Sequence, residues 1–187
     1  MTEIRDLRSF IDALESDGLL ARIKRQVSIR HELADVGAAL AQSGAGAGLF
    51  ENVDGSPWPI FCGGVTSRRQ TAVALGCGPD EIIDVMEDVL EPANGISPVR
   101  VENAAWHANR VSGDDVVDAD LPIPIHSRGD GGAFITGAVT VAKDPVSGRG
   151  NLGYNRMFKL GPTRFGFNVN EWRDVGTFWK SRNEPDS

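Results

Sequence analysis

The stretch Leu121-Pro-Ile-Pro-Ile-His-Ser-Arg-Gly-Asp-Gly-Gly132 divides the chain into two kinds of sequence. Pro122 and Pro124 fix φ and remove alternate N–H donors, so 121–125 reads as extended chain outside any hydrogen-bonded ladder. Gly129, Gly131 and Gly132 follow among polar side chains. Such a run reads in two ways: as a concave set of amides able to hold an anion, or as a flexible surface loop.

Upstream, helix and strand signals alternate. Leu7, Phe10, Ile11 and Leu14 recur at the spacing of one helix face, with Asp6 as N-cap and Gly18 as stop. Leu19–Val27 alternates apolar and basic residues, as a half-buried strand does. A second helix is expected over His31–Gln42, with Leu33, Val36, Ala39 and Leu40 inward. Ser43–Gly48 reads as a small-residue loop and lacks the Lys-Ser/Thr ending of a phosphate-binding P-loop. Short strands are expected at Leu49–Val53 and Pro59–Cys62, around the turn at Asp54–Pro57. A short helix over Thr71–Leu75 and a longer one over Pro79–Leu90 complete this part.

After Glu91 the composition changes. Val99–Glu102 is strand-like, and Asp114–Leu121 reads as an exposed acidic approach to the proline-rich segment. Strands are expected over Ala133–Ala142, Asn151–Phe158 and Arg164–Val169, with a turn at Asp144–Gly148 joining the first two as a hairpin. Glu171–Lys180 reads as a final helix. The fold class is therefore α+β, with a boundary near residues 95–115, set here as an N-terminal α/β domain at 1–110 and a β-rich domain at 111–187.

Composition excludes several function classes. The 187 residues carry 19 Lys and Arg against 26 Asp and Glu, a formal charge of −7. Such a chain repels phosphates and is a poor general binder of nucleic acid or anionic membrane. The two cysteines, Cys62 and Cys77, form neither a disulfide framework nor a zinc ribbon. No signal-peptide core and no membrane-length apolar run is present, so a cytoplasmic protein is expected.

Two segments carry the candidate chemistry. In Gly148–Arg156, strand alternation puts Asn151, Gly153 and Asn155 on one face and Leu152, Tyr154 and Arg156 on the other. An asparagine oxygen is a hard ligand suited to Mg²⁺ or Mn²⁺ beside a phosphate, and arginine recognises carboxylates bidentately. The plain alternative is an edge hairpin with outward polar residues. In Asn168–Arg173, Glu171 reads as a metal ligand, a helix-capping acid or a surface charge, with surface charge foremost. His107 and His126 read as structural histidines before proton carriers, and Trp58, Trp106, Trp172 and Trp179 as packing residues.

Asp120-Leu-Pro-Ile-Pro-Ile-His-Ser-Arg-Gly-Asp-Gly-Gly-Ala-Phe-Ile-Thr-Gly137, then Thr140–Pro145 and Asn151-Leu-Gly-Tyr-Asn-Arg-Met157, closely resembles the UbiD family. So do Asp6–Glu15, Leu20–Lys24 and Leu49–Val53. These are decarboxylases of aromatic and α,β-unsaturated carboxylic acids that depend on prenylated FMN. The resemblance implies an N-terminal α/β domain followed by a split β-barrel like that of flavin reductases. It implies that Asn151 ligates a divalent metal, usually Mn²⁺, that bridges to the cofactor phosphate, with K⁺ as a further ion. Tyr154, Asn155 and Arg156 fall on the stretch along the flavin, and Asn168, Val169 and Asn170 on a second cofactor-contacting strand. Arg156 matches the catalytic arginine beside the substrate carboxylate.

Many relatives place a metal-binding histidine after that second strand. No histidine follows His126 here, which leaves Glu171 as the candidate second ligand. The family pattern also runs far beyond Ser187, where a metal-binding glutamate, both catalytic acids and a C-terminal oligomerisation domain would lie. The expectation is a shortened, truncated chain or one subunit of a split enzyme, assembled as a homo-oligomer or with a partner chain. A flavin prenyltransferase would supply the cofactor. A non-catalytic flavin-binding or assembly subunit is the second expectation.

Overall fold

The computed structural model describes residues 4–97, 99–108, 110–116 and 121–183. Pro98, half of the acidic approach (117–120) and the end at 184–187 therefore lie outside the described residues, as does the side chain of Trp106.

Helix α1 (Leu7–Ser16) starts at Asp6, whose side chain accepts from the Ser9 N–H while Ser9 Oγ accepts from the Asp6 N–H. This reciprocal cap satisfies amides that the first turn leaves unpaired. Strand β1 (Leu20–Ile23) pairs in parallel with β2 (Ala47–Phe50), and β2 pairs antiparallel with β3 (Ile60–Cys62), so β2 is central. Helix α2 (Glu32–Ser43) ends at Gly44 in the left-handed conformation. Ala47 and Gly48, expected in a loop, begin the central strand. The small residues serve close packing: a Cβ on Gly46 would lie 2.1 Å from the Leu19 carbonyl oxygen, and one on Gly48 3.0 Å from Leu40.

The sheet carries apolar groups on both faces. Val27, Leu33, Phe50 and Val53 form one cluster under α2, joined by Val36, Ile60 and Cys62. Leu14, Leu19 and Ala47 form the other, with Phe10, Phe61 and Val73. Helix α3 (Arg68–Leu75) contributes to this second cluster and begins three residues before the expected Thr71. Ser67 caps it, and the fully buried Gln70 is satisfied: Nε2 donates to the Gly63 carbonyl at 2.7 Å, and Oε1 accepts from Thr66 and Ser67. Helix α4 is Ile82–Leu90, so Pro79 precedes it by three residues instead of opening it.

A clamp of charge joins α1 to the sheet. Arg22 Nε and Nη2 each donate at 2.6 Å to the Glu15 carboxylate, and Nη1 donates at 2.7 Å to Glu51. Bidentate geometry of this kind is the form of exposed ion pair that retains value in water.

The proline-rich segment is not wholly free of ladder bonds. Ile125 bridges Arg30 in parallel, donating its N–H to the Ile29 carbonyl at 3.1 Å and accepting from the His31 N–H at 2.9 Å. Only Pro122 and Pro124 lack an N–H, which leaves Ile125 able to pair. It thereby ties the second half of the chain to the first.

In that second half the two long expected strands are each broken. Ala133–Ala142 becomes β4 (Phe134–Ile135) and β5 (Val139–Lys143), and Asn151–Phe158 becomes β6 (Gly150–Tyr154) and β7 (Met157–Gly161). Strands β5 and β6 pair with each other, whereas β4, β7 and β8 (Arg164–Phe167) form a separate antiparallel sheet in the order β4-β7-β8. The chain thus passes between sheets twice, at 136–138 and at Asn155–Arg156. The Val99–Glu102 segment is not a strand. Helix α5 (Asp174–Asn183) begins three residues after the expected start and packs on the β5–β6 pair, with Phe178 buried.

Candidate functional site

On β6 the expected alternation holds. Asn151, Gly153 and Asn155 turn to the half-buried side under α5, and Leu152 and Tyr154 turn to the exposed side. Asn151 Nδ2 donates to Asp174 Oδ2 at 2.6 Å, and Asn155 Nδ2 donates to Thr140 Oγ1 at 3.1 Å. Between them Gly153 keeps space open: a Cβ there would lie 3.4 Å from Asn155 Nδ2 and 3.6 Å from Asn151 Oδ1.

Two cavities meet along this strand. One, of about 350 Å³, is bordered by Asn151, Gly153, Val169, Trp172 and Asp174. The other, of about 570 Å³, is bordered by Phe134, Arg156, Phe158, Phe167 and Asn168. Tyr154, Asn155, Asn170 and Arg173 belong to the walls of both. Asn151 and Arg156 therefore stand at two adjoining cavities with a common wall. The first has amide and carboxylate heads, and the second an aromatic floor.

Arg156 lies in the connection between β6 and β7, where the chain leaves one sheet for the other. Its guanidinium stands 4.3 Å from the centroid of Phe134, and Nη1 is 3.9 Å from Asp130 Oδ1. A guanidinium over an aromatic face is attracted by the ring quadrupole. Asp130 is fixed in turn by the Ser127 N–H, 3.0 Å from Oδ2. The glycine-rich loop that holds Asp130 is closed on itself, since the amides of Ser127, Gly129 and Asp130 are all engaged within it. It does not present them to an anion. Gly132 instead admits the ring of Phe158, which a Cβ would approach to 2.8 Å.

Glu171 is not brought to Asn151. Its carboxylate accepts from Lys180 Nζ at 2.5 Å and it borders neither cavity. Lys180 also stands over the ring of Trp172, 5.9 Å from its centroid. His126 borders a separate apolar cavity of about 280 Å³ with Phe61, Cys62 and Ile123. Its Nδ1 is buried with no hydrogen-bond partner among the described residues, and Nε2 lies 3.4 Å from Thr136 Oγ1. Burial pushes the Cys62 thiol up from its ordinary range.

Sequence reasoning missed Asp174, Arg173, Asp130 and the three phenylalanines. Asp174 opens α5, where an acid is ordinary on dipole grounds, so nothing in its local pattern marked it.

The donor set suits a hard divalent cation, because amide and carboxylate oxygens are its preferred ligands. Among the described residues no group of three His, Cys, Asp or Glu is assembled, so phosphate and water oxygens would have to complete any shell. The aromatic floor beside amides and guanidinium suits a flat aromatic ring system with a phosphate.

Comparison with known proteins follows the same division. Residues 11–90 match the N-terminal domain of 3-octaprenyl-4-hydroxybenzoate carboxy-lyase, and residues 98–185 match the Rift-related domain of that enzyme family. A phenolic acid decarboxylase of Escherichia coli O157:H7 is 31% identical over 181 residues, covering 91% of this chain and 38% of that protein. The UbiD-class enzyme HmfF from Pelotomaculum thermopropionicum, solved in complex with FMN, aligns with a TM-score of 0.83 at 28% identity. That alignment covers 94% of this chain and 39% of the enzyme. An evolved dimeric form of the same enzyme in complex with prFMN aligns at 0.80 and 27% identity, covering 94% of this chain and 40% of that one. The chain thus spans about two fifths of the length of the proteins it matches. With both family domains matched in order across nearly all its residues, this chain belongs to the UbiD family.

Proposed function

We propose that this chain is the cofactor-seating portion of a reversible, non-oxidative decarboxylase of aromatic or α,β-unsaturated carboxylic acids, using prenylated FMN. The observation that carries the reading is the shared wall of Tyr154, Asn155, Asn170 and Arg173 between a polar cavity at Asn151 and an aromatic one at Arg156. The residues at 111–187 would form the first part of a split barrel around it, with 1–110 as the α/β domain, in a cytoplasmic enzyme. When bound, the modified flavin supplies an electron sink while CO₂ departs. The chain's own groups orient and exclude water. Asn151, with a divalent metal such as Mn²⁺, would hold the phosphate. Tyr154, Asn155, Asn168, Val169 and Asn170 would lie along the flavin, and Arg156 would hold the substrate carboxylate.

A second reading, an assembly or flavin-binding subunit that needs a partner, has its own support. The outer face of the β5–β6 pair is apolar and open: Val141, Leu152 and Tyr154 are 77%, 71% and 77% exposed. Such a cross-strand patch fits a surface covered by further polypeptide, of this chain or of another. In the first reading the proton-donating acid would come from the remaining family domains, and turnover would require them.

The test is co-expression with a flavin prenyltransferase, followed by a visible spectrum and a carboxylate-consumption assay with and without the remaining family domains. Bound flavin with activity only on complementation is the expected result. A colourless protein that binds neither FMN nor its prenylated form would reject the reading.

A further inference from the structure

We propose that Asp174, and not Glu171, is the carboxylate that binds a divalent cation together with Asn151. This rests on the cofactor-seat reading above and names the ligand pair within it.

The two side-chain heads already share one coordination-sized space. Asn151 Nδ2 and Asp174 Oδ2 are 2.6 Å apart at the wall of the same cavity. Neighbouring oxygens on an octahedral cation with bonds of about 2.1 Å stand roughly 3 Å apart. Half a turn of the Asn151 amide puts Oδ1, a hard acceptor, where Nδ2 now donates. Glu171 lacks this placement: it does not border the cavity, and its carboxylate is turned to Lys180.

The position of Asp174 is held from three sides. Arg149 Nη2 is 3.4 Å from Oδ1, which leaves Oδ2 directed at Asn151. Phe178, one turn further along α5, is buried, with Arg149 over its ring at 6.0 Å. Gly176 lies so close to the preceding loop that a Cβ would meet the Asn170 carbonyl oxygen at 2.4 Å. A helix macrodipole accounts for an acid in the first turn of α5 but not for its aim at Asn151.

The test titrates Mn²⁺ into the 187-residue chain, following the loss of the free-ion EPR signal, with FMN present in one series and absent in the other. Asp174→Asn keeps a polar partner for Asn151 and removes the charged oxygen. Expected is at least a tenfold loss of Mn²⁺ affinity for Asp174→Asn, with Glu171→Gln within twofold of wild type. Wild-type affinity in Asp174→Asn, loss confined to Glu171→Gln, or no Mn²⁺ binding by wild type in either series would overturn the assignment. Should Asp174→Asn not fold, Asn151→Asp decides: a second carboxylate tightens Mn²⁺ at least threefold if the pair is the ligand set, and unchanged or weaker affinity rejects it. FMN binding, read separately by quenching of flavin fluorescence, tells the two failures apart. Flavin bound with Mn²⁺ indifferent to Asp174 rejects the ligand pair alone, and no flavin bound counts against the seat.

Discussion

The guanidinium of Arg156 stands 4.3 Å from the ring centroid of Phe134 while its Nη1 lies 3.9 Å from Asp130 Oδ1. The side chain is 65% exposed, so neither contact contributes much to folding, and together they aim a planar cation across the aromatic floor. Lysine would keep the charge but lose the planar fork and its stacking. Arg156→Lys is therefore expected to leave the melting temperature of this chain unchanged. Under the proposed function, in the chain complemented with the remaining family domains, it should lower decarboxylation on the order of 100-fold, as loss of a positioned hydrogen-bond donor does. Equal rates for the two proteins would remove Arg156 from the chemistry.

Gly176→Ala tests how α5 is seated. A methyl group there meets the Asn170 carbonyl oxygen at 2.4 Å and the Glu171 Cα at 2.7 Å, both backbone atoms that cannot turn aside. The first turn of α5 must move, and Asp174 with it. The expected result is a loss of about 1–3 kcal/mol, the usual range for overpacking, read by denaturant unfolding. Unchanged stability would mean that α5 sits further from the Asn170 loop.

Acid should weaken the fold through its N-terminal clamp. The Arg22 guanidinium holds the Glu15 carboxyl below its ordinary 4.5, and the Ser9 N–H holds Asp6 below its ordinary 3.8. In the hairpin turn, Ser147 does the same to Asp144. Each group binds its proton more readily in the unfolded chain, so its contribution is fully present above the ordinary value and is lost as pH falls through the lowered one. Melting temperature is expected to be flat above about pH 5 and to decline below about pH 4. Arg22→Met should make that decline shallower. A decline equally steep in the variant would assign it to other carboxylates.

What the sequence disclosed and what it hid have physical causes. Helix α1 was legible because Leu7, Phe10, Ile11 and Leu14 repeat at helical spacing behind a capping acid. The alternation of β6 was legible for the same kind of reason, and with it the shared face of Asn151 and Asn155. The passage of the chain between sheets at 136–138 and at Asn155–Arg156 was not. Period-two alternation continues on both sides of each break, and pattern alone cannot say which neighbour a strand pairs with. The partnership of Asn151 with Asp174 was hidden because it spans 23 residues and two elements. Only the packing of α5 on β6 creates it.

Phe50 tests the core that supports these elements. It is fully buried on the central strand, opposite Ile60 and between Leu33 and Val53. Phe50→Ala removes a ring from a close-packed cluster and leaves a cavity, at a cost of about 3–5 kcal/mol. Phe50→Leu should cost less than half as much, because the volume lost is smaller. Similar costs for the two variants would show that the site collapses around the deletion.

His31 makes the sharpest test of the joint between the two halves. It has φ 70° and ψ −48°, the single positive-φ residue other than glycine among the described residues, and the Glu32 N–H donates across it to the Arg30 carbonyl at 2.9 Å. This is the strained form of γ-turn, in a region that a side chain disfavours. Its own N–H is used to hold Ile125, so the strain sits where the proline-rich segment is bound to the first sheet. Glycine tolerates the conformation, removing a strain of about 1–3 kcal/mol at a backbone-entropy cost of about 0.5–1. His31→Gly is thus expected to stabilise the chain by about 1 kcal/mol, whereas His31→Ala keeps the Cβ and gains nothing. If alanine stabilises as much as glycine in denaturant unfolding, the cost lies in the imidazole and not in the turn.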